Sequence, residues 1–207
     1  MFHKIIKQWN RLRLGGGNWA DGYYAVMARS RTTFVSEILP KRGVGAELGV
    51  FKGHFSRILL EHAHPTQLHL IDPWFLHSPH WGWARGNQST VDASVRVIQA
   101  FKREIEARRV YVHIGFDIDV LSTFPDNHFD WVYIDSLHTY EHAKAELSIL
   151  SCKVKDRGVI AGDDWWPNPS HPHHGVFRAV TEFVEFGEFE IAYSDSKSSQ
   201  WAIKRSQ

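Results

Sequence analysis

Val44-Gly45-Ala46-Glu47-Leu48-Gly49-Val50-Phe51-Lys52-Gly53 is the stretch on which the fold turns. It opens as a short apolar strand over Val44–Leu48, breaks at a glycine-bearing loop and runs into a predicted helix over His54–His62. A strand, a tight glycine turn and a helix in direct succession form the opening step of an open α/β sheet. The glycines allow both the turn and the close approach of a ligand to the backbone. The spacing is E-x-G-x-x-x-G, not the G-x-G-x-x-G of the dinucleotide fingerprint. Glu47 at the head of the loop suits a ligand bearing positive charge and disfavours a pyrophosphate.

The pattern repeats on the C-terminal side. Further strands are expected at Gln67–Ile71, Val110–Ile114, Phe129–Ile134 and Val159–Ala161. Helical spacing fills the intervals, with Val91, Val95, Ile98, Phe101 and Ile105 marking a helix over Thr90–Arg108. Shorter helices are expected over Ile118–Thr123, Tyr140–Leu150 and Val176–Phe186. Two late strands, Phe189–Tyr193 and Trp201–Ile203, flank the Ser194–Ser199 turn and read as a terminal hairpin. This predicts an α/β fold: a doubly wound, Rossmann-like, seven-stranded and mostly parallel sheet ending in an antiparallel hairpin. Residues 1–39 read as a helical N-terminal extension, with a helix from about Asp21 to Leu39 stopped by Pro40, and residues 40–207 as the main domain.

In such a sheet ligands bind beyond the carboxyl ends of the strands, so the residues standing there carry the functional reading. Asp72 closes the second strand, where a carboxylate can accept both hydroxyls of a ribose. Asp135 closes the fourth, and Asp163 and Asp164 follow the fifth. If those two strands are neighbours, three carboxylates converge on one small volume. Their mutual repulsion asks for a cation, and hard oxygen donors favour Mg²⁺. His138, in Asp135-Ser136-Leu137-His138-Thr139-Tyr140, stands where a general base could act, or where an imidazole could simply hold the loop. Pro73 to Asn87 is too long for a plain connection and reads as a lid. The lone Cys152 reads as a core residue.

Composition narrows the classes. The 207 residues are 43% hydrophobic and 23% charged, and 24 basic side chains nearly cancel 23 acidic ones. A net charge of +1 argues against nucleic acid as a partner. No run approaches the apolar length of a membrane span, and the basic N-terminal segment lacks the apolar core of a secretory signal. A single cysteine excludes an internal disulfide framework and suggests a reducing, cytoplasmic setting. The 14 histidines and 9 tryptophans are the unusual counts. Many fall in the lid, after the fourth strand, or in the Trp165–His174 stretch after the fifth, as if walling a substrate pocket. Trp9 and Trp19 point to N-terminal packing and a possible homo-oligomer through the N-terminal helices.

With these residues in hand the chain resembles the class I S-adenosylmethionine-dependent methyltransferases. More narrowly, it resembles the small-molecule O-methyltransferases of methyltransferase domain 24 and the related macrocin-type enzymes. The resemblance is carried by residues 44–53, Leu70-Ile71-Asp72, Phe129–Asp135 with His138 and Tyr140, Gly158–Asp164, and Gly175-Val176 leading to Ala179-Val180. It implies that Glu47 and Gly49 line the methionine end of the cofactor, that Asp72 holds the ribose and that Gly115 with Asp117 edges the adenine, with Gly53 and Asp135 also at the cofactor. It further implies Mg²⁺ on Asp135, Asp163 and Asp164 beside a hydroxyl acceptor on a small molecule, with Asp135 and His138 at the chemistry. Macrocin-type enzymes tend to carry an acidic base two residues after the first metal aspartate. Leu137 stands there in this chain, which leaves His138 as the nearest candidate. Two alternatives share the fold: an NAD-type oxidoreductase, and a non-catalytic domain that binds a partner through its aromatic loop.

Overall fold

The computed structural model describes residues 29–77 and 88–206. Seven strands form one sheet: β1 (Val44–Leu48), β2 (Gln67–Asp72), β3 (Val110–Ile114), β4 (Phe129–Ile134), β5 (Val154–Gly162), β6 (Phe189–Asp195) and β7 (Gln200–Arg205). Their order is β3-β2-β1-β4-β5-β7-β6. The first five strands are parallel, and β7 joins antiparallel to both β5 and β6. The expected fold class is therefore observed, terminal hairpin included.

Period-two alternation sends side chains to two cores. Trp131 and Tyr133 of β4 pack on one face with Phe34, Val35, Leu59 and Val97. Val132 and Ile134 of the same strand pack on the other with Leu147, Val180 and Trp201. The first face is covered by the helical stretch 29–37, by α1 (His54–His62) and by α2 (Gln88–Ala100). A short α3 (Lys102–Glu106) follows, and α4 (Asp117–Ser122), α5 (Tyr140–Lys153) and α6 (His174–Phe186) complete the set. Gly45 is required where Trp131 crosses β1, because a Cβ there would lie 2.1 Å from the indole ring.

Several local expectations need correction. The helix expected over Thr90–Arg108 is two helices, broken at Phe101. Its apolar spacing also misleads: Val91, Val95 and Ile98 are exposed, while the smaller Thr90, Ala93 and Ser94 join Val97 and Phe101 inside. Cys152 is exposed, not core. The inward stripe of α5 is Ala143, Glu146, Leu147 and Leu150, and position 152 falls off it. Trp74, expected in a lid, is fully buried in a 3₁₀ turn (Trp74–His77). The rest of that lid from residue 78, like the N-terminal segment before residue 29, lies outside the described residues. Among the described residues no helix is long and apolar enough to cross a membrane.

One cluster on the β2–β3 flank sets a pH dependence. His69 is buried with its Nδ1 3.0 Å from Nε2 of His113, stacked on Tyr111 and edge-on to Phe124. Burial first, then His113 and His128, holds the His69 imidazole down to about 3. An unfolded histidine titrates near 6.5, so between these values the unfolded chain binds a proton that the native state refuses. This contribution to stability is complete above pH 6.5 and is lost as pH falls toward 3. On acidification from about pH 7 to about pH 5, wild type should lose about 2 kcal/mol more unfolding free energy than His69→Phe. Urea denaturation at the two pH values reads the difference, and equal losses would refute it.

Candidate active site

Strand order reverses at β1, with β2 on one side and β4 on the other, so the crevice of an open sheet falls at the carboxyl end of this strand. Gly49 leaves β1 at φ 85°, and a Cβ there would lie 2.0 Å from the carbonyl oxygen of Asp135. Only glycine brings the loop this close to the end of β4. Gly53, also left-handed, starts α1. Glu47 is 1% exposed and accepts a hydrogen bond from the Ser56 hydroxyl of α1. Burial pushes its carboxyl well above the usual range. Asp72 braces the same loop from the end of β2. One oxygen accepts from Val50 N at 2.9 Å and Phe51 N at 2.8 Å, and the other accepts from Trp74 N at 2.6 Å.

At the end of β3, Gly115 donates its N–H to the carbonyl of Asp72 and leads into α4. Asp117 is buried, 2.7 Å from Nε2 of His142, and its other oxygen accepts from Ile118 N. Burial alone would raise its pKa, but the hydrogen bond and charge of His142 lower it. Glu146, pushed up by burial and then by Asp117, completes this cluster and accepts from Ser136. Ile114 and Phe116 remain exposed beside it and present an apolar edge.

The register Ile134↔Gly162 sets Asp135 and Asp163 side by side, as the sequence implied. The cation between them is a side chain. Nη2 of Arg31, from the helical stretch 29–37, lies 3.2 Å from Asp135 Oδ2 and closer still to Asp163 Oδ2. Ser199 Oγ and Gln200 Nε2 donate to the other oxygen of Asp163. Asp164 faces elsewhere. Its backbone is left-handed at φ 68°, and its two oxygens meet His138 Nδ1 at 2.6 Å and His173 Nδ1 at 2.8 Å. The Trp166 indole also donates to it, at 3.0 Å. Burial disfavours the charge of His138, but the hydrogen bond and charge of Asp164 overcome this and raise its pKa. The two imidazoles stack with centroids 4.3 Å apart. Gly175 allows this convergence, because a Cβ there would lie 2.6 Å from the backbone nitrogen of Tyr140 at the start of α5.

A family model for a methyltransferase domain, Methyltransf_24, matches residues 46–165. The chain belongs to this methyltransferase family. Solved methyltransferases share the fold. The SAH-bound methyltransferase PaMTH1 of Podospora anserina superposes with a TM-score of 0.61 at 15% identity, over 98% of this chain and 87% of that one. The 1,6-didemethyltoxoflavin-N1-methyltransferase of Burkholderia thailandensis, solved with 1,6-didemethyltoxoflavin and S-adenosylhomocysteine, gives 0.59 at 11% identity, over 87% and 79%. No curated protein matches the sequence.

The chemistry of the strand ends suits the S-adenosylmethionine of this family: a glycine loop stands at the switch point, and the exposed apolar Ile114 and Phe116 flank the end of β3. The three-aspartate Mg²⁺ site does not fit this arrangement. Arg31 stands between two of the carboxylates, and the third is turned onto His138 and His173. Among the described residues, the clusters that bring three ligand atoms within 4.8 Å are His138–Asp164–His173 and Asp117–His142–Glu146. Sequence reasoning missed Arg31 altogether, and placed His173 on a substrate-facing loop without its partner. No motif marks Arg31, although its spacing from Phe34 and Val35 puts it on the inward helical face.

The bracing by Asp72 is testable without any ligand. Asp72→Asn sets an amide against backbone N–H groups and forfeits charge-assisted bonds. It should cost about 2–3 kcal/mol in thermal or urea unfolding. An unchanged midpoint would remove Asp72 as the loop's brace.

Proposed function

We propose that this methyltransferase moves the methyl group of S-adenosylmethionine to a hydroxyl of a small molecule, with His138 as the general base. The observation that carries this reading is the His138–Asp164 pair beyond the carboxyl ends of β4 and β5. When bound, the cofactor supplies an electrophilic methyl on a positively charged sulfur. The remaining demand is to remove a proton from the acceptor, and that demand selects among acceptors. An amine that is already neutral can attack without a base. A hydroxyl is a poor nucleophile until its proton is taken.

His138 has the features of such a base. Asp164 accepts from Nδ1, which leaves Nε2 as the basic nitrogen and fixes the ring's orientation. The carboxylate then stabilises the imidazolium formed when the hydroxyl proton arrives. The side chain is 32% exposed, so the ring is held yet reachable. Leu137, exposed next to it, offers an apolar contact and no second acid. Glu47 and Gly49 at the methionine end, Gly53 in the same loop, Asp72 near the ribose and Gly115 with Asp117 near the adenine complete the proposed cofactor contacts. Asp135 links this loop to the base. A small-molecule acceptor is supported by the Burkholderia structure, which holds one in this fold. The E-x-G-x-x-x-G loop disfavours the NAD-type alternative. Magnesium has no step in this reading.

His138→Gln should lower methyl transfer to hydroxylated small molecules by about 10²–10⁴-fold. Binding of S-adenosylhomocysteine, measured by calorimetry, should change less than about twofold. The wild-type rate should rise with pH through an apparent pKa above 6.5, because the neutral imidazole is the active form and Asp164 holds the proton on. A variant with a wild-type rate, or a profile flat from about pH 5 to 9, would remove His138 as the base.

A further inference from the structure

Two aspartates at the ends of adjacent parallel strands are forced together by the sheet. Asp135 N bonds back to Leu48 O, and Asp163 N to Ile134 O, so neither strand end can relax away from the other. Like charges at this separation need a cation. Arg31 supplies it through a single nitrogen, Nη2, that touches both carboxylates.

Arg31 is not a passing surface arginine. Its helical stretch is anchored by Phe34, Val35 and Leu39, all within the core, and Phe34 packs edge-on against Tyr133 and Tyr193. The guanidinium carbon lies 4.8 Å from the centre of the Phe55 ring, in cation–π contact. The side chain is only 18% exposed, and its Nε is buried without a hydrogen-bond partner. Behind it, Tyr133 donates to Gln200 Oε1 at 2.7 Å, and Gln200 Nε2 donates to Asp163 Oδ1 at 3.0 Å. The Trp201 indole donates to the Asp163 carbonyl at 2.7 Å. Tyrosine, glutamine, aspartate, arginine and aspartate thus form one continuous chain across the sheet edge.

This arrangement leaves no place for a divalent ion on the pair. Mg²⁺ demands oxygen ligands at about 2.0–2.1 Å in near-octahedral geometry. Here Asp135 Oδ2 and Asp163 Oδ2 are turned onto one guanidinium nitrogen, and Asp163 Oδ1 accepts from Ser199 and Gln200. The third aspartate of the expected trio is committed to His138 and His173. We propose that Arg31 is the resident cation of the Asp135–Asp163 pair, a positioning residue that takes the place of a divalent metal. While it is seated, the pair binds no divalent ion. The methyltransferase reading enters only in the inference that catalysis therefore proceeds without an ion at these two aspartates. Ion binding itself is independent of that reading.

The test uses the full chain and Mn²⁺ as the probe, with free ion followed by electron paramagnetic resonance. Wild type and Arg31→Lys, which keeps the charge, should take up no Mn²⁺ at this pair. Arg31→Ala vacates the nitrogen's position and should bind Mn²⁺ at least about tenfold more tightly than wild type. Adding Asp163→Asn to Arg31→Ala should abolish that gain. Stoichiometric Mn²⁺ uptake by wild type that Asp163→Asn removes would overturn the proposal. So would a folded Arg31→Ala protein that takes up no more Mn²⁺ than wild type. If Arg31→Ala does not fold, wild type and Arg31→Lys decide: uptake at Asp163 in either overturns the proposal, and its absence in both upholds it. S-adenosylhomocysteine titrated into wild type in EDTA separates the two readings. Failure to bind it breaks the methyltransferase reading and leaves the arginine's role standing, whereas Mn²⁺ uptake at Asp163 does the reverse.

Discussion

Negative charge crowded at the ends of parallel strands is the constraint around which this molecule is organised. The register of β1, β4 and β5 brings Glu47, Asp135, Asp163 and Asp164 to one edge, and the backbone hydrogen bonds of the sheet prevent them from dispersing. Each is handled differently. Glu47 is buried and its pKa raised, with Ser56 on its carboxyl. Asp135 and Asp163 share a guanidinium. Asp164 is turned by a left-handed backbone onto two imidazoles. Because Arg31 belongs to the stretch 29–37, ahead of β1, this solution ties that helical stretch to the functional edge through charge as well as through the packing of Phe34 and Val35.

Much of this was legible in the sequence, and the reasons are physical. Period-two and helical spacings in an α/β chain leave few topologies, so the mostly parallel sheet with its terminal hairpin was legible, and Asp135 and Asp163 converge once β4 and β5 are neighbours. Gly49 was legible because a close backbone approach admits no other residue. The fate of the charges was not. Arg31 is one of 24 basic residues and lies outside every motif, and only tertiary packing brings it to the strand ends. The separation of Asp163 from Asp164 depends on a single backbone turn, φ 68° at Asp164, which adjacent identical residues give no reason to expect. Spacing also failed at α2, where Val91, Val95 and Ile98 look like an inward stripe. The inward face instead carries the smaller Thr90, Ala93 and Ser94 beside Val97. Trp74 was misjudged because an aromatic after a strand end can line a pocket or fill the core, and its indole N–H finds the Phe51 carbonyl inside.

The histidine excess resolves into sites of opposite character. His69, His113 and His128 lie among aromatic rings on the β2–β3 flank, where desolvation is the leading cause and lowers their pKa values. His138 is also well packed, but a carboxylate within hydrogen-bond distance reverses the sign. The same residue type therefore favours the neutral form in one place and holds its proton more tightly in the other. The neighbour decides which, not the degree of burial.

Neighbouring aspartates with different partners also divide the work of the edge. A base of the kind we propose for His138 must exchange its proton on each turnover, so its carboxylate partner must tolerate a change of charge next door. A cation that holds two strand ends must not change at all. Arginine meets the second requirement, since its guanidinium stays charged across the ordinary pH range and its Nη2 reaches both carboxylates. Histidine beside Asp164 meets the first. Placing both tasks on one carboxylate would make the strand-end geometry fluctuate with every proton transferred. The turn at Asp164 separates them across a single peptide bond.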